Sequence, residues 1–275
     1  MCVAFVGVVS FALVACANPA QGAQDSGDEA EQGQAPNQAV KLVFIHHSCG
    51  RNWLNTSNGG LGNELGANNY YVRDIYYGWD APYNQNIGDE TDTDHWPTWF
   101  TDTTIQGNGI ARRDNIMEAV YDTDTQYSTY DPIEDPGGDI EIIMFKSCYP
   151  LSEVGDSIAD EQAIYNDILN NYFAQRTDKL FVLITPPGEE DVGSHELTAE
   201  LMNWLVDEES GWLAGYPPNN VGVFDFYCVL SEIDSHHRVV GDTIEHTFAP
   251  DYDGLSPYHD GGDNHPNETG NQKST

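Results

Sequence analysis

The chain has 275 residues, of which 45 are acidic and 10 basic, for a formal charge of −35. With 39 % hydrophobic and 11 % aromatic residues it can bury a core, which excludes wholesale disorder and leaves one large domain or two small ones. A surface this negative repels nucleic acid and anionic lipid headgroups. So much acid beside so little lysine suits a salty medium, where self-repulsion is screened.

Residues 3–15 (VAFVGVVSFALVA) are continuously apolar. The run is short for a bilayer span and fits the apolar region of a signal peptide. Leu13, Val14, Ala15 and Cys16 follow and resemble a bacterial lipobox. That resemblance implies export, with a lipid anchor at Cys16 as the sole membrane contact. No Lys or Arg precedes the apolar run, a departure from an ordinary signal. Residues 17–38 hold no large aliphatic or aromatic side chain and read as a flexible acidic tether. The folded domain is expected over residues 39–275.

Within it, residues 40–47 (VKLVFIHH) read as a buried strand with a polar end. Residues 61–67 are weakly helical. Residues 70–77 (YYVRDIYY) form a second strand rich in β-formers. Residues 78–107 read as a long loop, 108–121 as a helix, and 122–138 as turns marked by Asp-Pro and Gly-Gly pairs. Residues 139–146 (DIEIIMFK) are a third strand. Residues 158–176 follow as a helix, with Ile164, Ile168 and Tyr172 at helical spacing. Residues 179–185 (KLFVLIT) are a fourth strand. Residues 194–208 are a helix with Leu197, Leu201 and Leu205 on one face. Residues 221–230 (VGVFDFYCVL) are a fifth strand, and 231–264 a second long loop. Apolar strands alternating with helices predict a parallel sheet covered on both faces.

In such sheets ligands bind beyond the carboxyl ends of the strands. Ser48 follows the first strand at the start of an expected helix. A serine hydroxyl becomes nucleophilic when a histidine takes its proton and a carboxylate orients that histidine. His265 lies near the end of the chain, with Asp263 and Asp260 shortly before it.

The segments VFIHHSCG and DNHPNETG, with the β/α order between them, resemble the SGNH/GDSL hydrolase family across residues 40–275. The resemblance implies a three-layer α/β/α fold with a five-stranded parallel sheet in the flavodoxin-like order 2-1-3-4-5. It also implies hydrolysis of small acyl esters, plausibly O-acetyl groups on polysaccharide, through an acyl-enzyme and without cofactor or metal. Ser48 would be the nucleophile and His265 the base. Asp263 would be the orienting acid, with Asp260 the competitor because the family's usual Asp position is Gly262 here. Ser48, Gly78 and Ser147 would bind the oxyanion, with Gly88 the rival to Gly78.

Departures from the family pattern are specific. His46-His47 stands where Gly-Asp usually precedes the serine. The segment 145–150 (FKSCYP) lacks the family's Asn, so Ser147 or Lys146 would substitute. His47 and Lys146 are auxiliary candidates. Only ten residues follow His265, so the family's closing helix is expected to be truncated or vestigial. A non-catalytic glycan-binding lipoprotein and a metal-dependent hydrolase are the alternatives.

Three further expectations concern other residues. Cys49 and Cys148 follow neighbouring strands and are placed to bridge, with Cys228 a small core residue. Trp79, Tyr83, Trp96, Trp99 and Phe100 form either a sugar-stacking platform or a satellite core. The acidic run 89–94 reads as a solvated loop, since it lacks the glycine and terminal glutamate of a calcium loop.

Overall fold

The computed structural model describes residues 34–82, 86–147, 157–187, 195–230, 237–240, 243–246 and 265–275. For 195–196, 237–240 and 243–246 only the backbone is described. The signal segment and most of the tether lie outside these residues.

Five strands form one all-parallel sheet: β1 Val40–Ile45, β2 Tyr70–Ile75, β3 Ile142–Phe145, β4 Leu180–Ile184 and β5 Val221–Phe224. Their order is β2-β1-β3-β4-β5, as expected. The helices are α1 Ser48–Leu54, α2 Leu61–Ala67, α3 Trp96–Phe100, α4 Arg112–Tyr121, α5 Ile158–Asn171, α6 His195–Val206, α7 Phe226–Val229 and α8 Glu268–Ser274.

Strand alternation divides the core into two faces. Val43, Ile45, Ile143, Phe145, Phe181 and Leu183 point to the side covered by α3 to α6, where Trp96, Ile116, Tyr165 and Leu201 meet them. Leu42, Phe44, Ile142, Met144, Val182 and Ile184 point to the other side, against Trp53 and Leu54 of α1, Leu61 of α2 and Phe226 of α7. Each such large apolar side chain contributes about 1.5–3 kcal/mol on full burial. The result is the three-layer α/β/α fold.

Three local expectations are corrected. The long loop 78–107 contains a 3-10 turn, Thr93–His95, and helix α3. Burial of Trp96, Trp99 and Phe100 drives that folding, since all three are 1 % exposed or less. Trp79 is buried as well, so these rings belong to the core and present no platform; Tyr83 lies outside the described residues. The fifth strand ends at Phe224, because the Asp225 side chain accepts a hydrogen bond from the Cys228 amide at 3.1 Å and starts α7. A two-stranded antiparallel pair, β6 His237–Val240 and β7 Thr243–His246, lies within the expected loop 231–264. Residues 268–274 do form a helix, α8.

The expected bridge between Cys49 and Cys148 is also corrected. Cys49 is a buried thiol, whereas Cys228 is disulfide-bonded. Its partner lies outside the described residues. No helix among the described residues is long and apolar enough to cross a membrane.

Candidate active site

Strand β1 delivers the chain to His46, His47 and Ser48 at the carboxyl edge of the sheet. Ser48 is the first residue of α1, and His47 caps it in extended conformation. The turn is held by the His47 carbonyl, which accepts the Arg51 amide at 3.2 Å and the His46 ring at Nδ1 at 2.7 Å.

Helix α8 brings the other end of the chain back. Asn267 caps it, its Oδ1 accepting the Gly270 amide at 2.9 Å. Asn271 donates to Asn58 Oδ1 at 2.9 Å and to the Pro266 carbonyl at 3.0 Å. The Trp53 indole of α1 donates to Thr275 at 3.0 Å. These bonds seat α8 on α1 and position His265 immediately before it. Ser48 Oγ lies 2.5 Å from His265 Nε2 across 217 residues of sequence. With a neutral imidazole the serine hydroxyl is the donor. A hydroxyl and a ring nitrogen at this distance are placed for proton transfer. Asp263 and Asp260 lie outside the described residues.

The other candidates take different positions. His47 is 7 % exposed. Its Nε2 donates to the Gly88 carbonyl at 3.1 Å, and its ring stacks on Tyr77 at 4.2 Å. It therefore ties the loop after β2 to the base of α1. Gly88 must be glycine there, because a Cβ would stand 2.0 Å from the Tyr76 carbonyl. The Gly78 amide donates to Asp89 Oδ1 at 3.1 Å. The Ser147 hydroxyl, at the end of β3, donates to Asp92 Oδ1 at 3.2 Å. Both proposed oxyanion donors are thus engaged by carboxylates of the 89–94 run. Lys146, directly after β3, is 1 % exposed.

A buried histidine–carboxylate contact lies beneath Ser48. His46 and Asp74 are both 0 % exposed, with His46 Nε2 3.2 Å from Asp74 Oδ2. Asp74 also accepts from the amides of Tyr127 at 2.8 Å and Ser128 at 3.0 Å, and from the Ser128 hydroxyl at 2.7 Å. Burial pushes the Asp74 carboxyl up. The hydrogen bond and charge of His46, with the bonds from Ser128 and Tyr127, outweigh burial and hold it below its usual value. Both His46 nitrogens face oxygen atoms, the His47 carbonyl and the Asp74 carboxylate. The available signal was an acid inside the apolar strand YYVRDI; its partner was not readable.

Gly50 completes the platform. A Cβ there would lie 2.4 Å from His46 Cβ, so only glycine lets α1 sit directly on the His46 ring. The arrangement presents one serine–histidine pair at the strand ends, braced from below by the buried, hydrogen-bonded His46 and Asp74. Comparisons with protein-family models, with curated proteins and with solved structures found no match.

Proposed function

We propose that the chain is a serine ester hydrolase of the SGNH type, acting on small acyl esters such as O-acetyl groups on polysaccharide. The contact of 2.5 Å between Ser48 Oγ and His265 Nε2 carries this reading. The nucleophile position at the end of the first strand of a 2-1-3-4-5 sheet supports it. So does the resemblance of the first and last segments to that family.

In the proposed reaction Ser48 Oγ attacks the ester carbonyl carbon while His265 Nε2 takes the hydroxyl proton. The tetrahedral oxyanion is bound by the Ser48 amide, with Gly78 and Ser147 joining once their carboxylate partners yield. Collapse breaks the bond to the alcohol, which leaves with the proton from His265. Water, deprotonated by the same ring, then attacks the acyl-serine; the acyl–Oγ bond breaks, His265 returns the proton to Ser48 Oγ and the acid is released. Asp263 or Asp260 would orient the imidazole. The lipobox-like segment at Cys16 would place the enzyme at the cell envelope.

Turnover of 4-nitrophenyl acetate, with labelling of Ser48 by a fluorophosphonate, tests the proposal. Native turnover abolished in Ser48→Ala supports it; hydrolysis that survives the substitution overturns it. A second reading, a glycan-binding protein that has lost catalysis, is favoured by the engaged Gly78 and Ser147 donors. It predicts neither turnover nor labelling. Metal-dependent hydrolysis predicts loss of turnover with a chelator, which the serine route does not.

A further inference from the structure

Arg51 lies on α1 three residues after Ser48, on the same helix face, and is exposed. Its guanidinium sits over the Tyr76 ring at 5.3 Å from the centroid. Tyr76 packs edge-on against Tyr77 at 4.5 Å, and Tyr77 stacks on His47 at 4.2 Å. A continuous aromatic surface therefore runs from the base of the Ser48 turn to one cation. Tyr77, at its open side, is 42 % exposed.

The charge environment makes that cation unusual. Acidic residues outnumber basic ones 45 to 10, so a basic group readily finds a carboxylate. Arg73 pairs with Asp124, Arg112 with Asp102, Arg113 with Asp114 and Arg176 with Asp178. Among the arginines whose side chains are described, Arg51 alone makes no ion pair with a described residue. Asp89, on the neighbouring loop, holds the Gly78 amide and the Asn86 side chain instead. A guanidinium stacked on an aromatic face keeps its edge donors directed outward in a fork that matches a carboxylate.

We infer that Arg51 is a specificity residue that recognises a carboxylate on the substrate, so that the ester cleaved at Ser48 belongs to an acidic molecule such as an acylated uronic acid. The inference rests on the proposed serine esterase and names the substrate class of that same site. A local cation offsets the repulsion that a surface of formal charge −35 exerts on such a substrate. Pairing at contact distance persists in salt, whereas long-range repulsion is screened.

The test compares two esters on the full chain at one salt concentration: 4-acetoxybenzoate, whose free carboxylate lies on the alcohol part and cannot reach its own ester, and methyl 4-acetoxybenzoate, with release of the phenol as the readout. The native protein should favour the acid in kcat/KM by about five- to tenfold, chiefly through KM. Arg51→Gln should bring the ratio close to one. A variant that folds poorly lowers both rates together, so the ratio reads charge recognition alone. A native ratio of one or below overturns the inference, as does a ratio retained in Arg51→Gln, while turnover and Ser48 labelling leave the esterase reading standing. Absence of both turnover and labelling overturns the esterase reading, and this inference with it.

Discussion

Replacing Glu161 by Gln should stabilise the protein, and more so as the pH rises. Glu161 sits in the first turn of α5, beneath the turn at residues 93–95, and is 0 % exposed. Neither of its carboxyl oxygens has a hydrogen-bond partner among the described residues. Burial raises its pKa from 4.5 to about 8; the Thr93 hydroxyl beside it opposes this, and the charges of Asp94 and Asp92 add to it. The sign follows directly. Below pH 4.5 the group is protonated in both states and contributes no pH dependence. Between 4.5 and about 8 the unfolded chain releases the proton while the folded chain keeps it, so folding loses about 1.4 kcal/mol per pH unit. From pH 5 to pH 7 the native protein loses about 3 kcal/mol through this group alone. Glu161→Gln, uncharged and of the same shape, loses none. Urea unfolding of both proteins at pH 5, 6 and 7, at constant salt, measures the gap between them, in which all other titrations cancel. A gap that stays constant over this range would refute the reasoning.

The remaining predictions probe how the site is held. Asp74→Asn should cost about 1–3 kcal/mol at pH 7, because the buried carboxylate accepts bonds from the Tyr127 and Ser128 amides, the Ser128 hydroxyl and the His46 ring, and an amide cannot accept them all. The native carboxyl is held below its usual 3.8, so its contribution is present above that value and disappears on acidification. The penalty measured by thermal unfolding should therefore shrink toward pH 3. Gly50→Ala places a methyl 2.4 Å from His46 Cβ. It should cost about 1–3 kcal/mol by overpacking and lower turnover by shifting the Ser48 turn, as urea titration and 4-nitrophenyl acetate assay would report. Asn271→Ala removes the donors to Asn58 and the Pro266 carbonyl. It should cost about 1–2 kcal/mol and reduce kcat at least tenfold by loosening His265; an unchanged kcat would show that α8 does not position the imidazole.

Much of the frame was readable because its causes are local. Apolar runs such as KLVFI and LFVLI can satisfy their backbone and bury both faces only as inner strands. Their alternation with helices restricts the sheet to a few parallel orders. Ser48 was legible as a serine at a strand end, but its pairing with His265 came from the resemblance of the two segments to a known hydrolase family, not from any local pattern. The aromatic stretch WPTWF carried two opposed readings, stacking platform or core. Local pattern does not tell an exposed ring from one that fills a gap beneath a distant helix. The closing helix was hidden by its polar sequence, ETGNQKS; it depends on bonds to Asn58 and Trp53 rather than on an apolar stripe.

The sequence by itself determined most of the strands and the parallel class of the sheet, since backbone periodicity acts over a few residues, and it marked Ser48 and His265 as candidates without showing that they meet across 217 residues. Tertiary structure alone decided the partners. It set Asp74 against His46, buried Glu161 beneath Thr93, joined Gly78 and Ser147 to Asp89 and Asp92, and placed Arg51 on an aromatic ring without an ion pair among the described residues. Desolvation and pairing of charge depend on which surfaces meet, and those meetings join segments far apart in the chain.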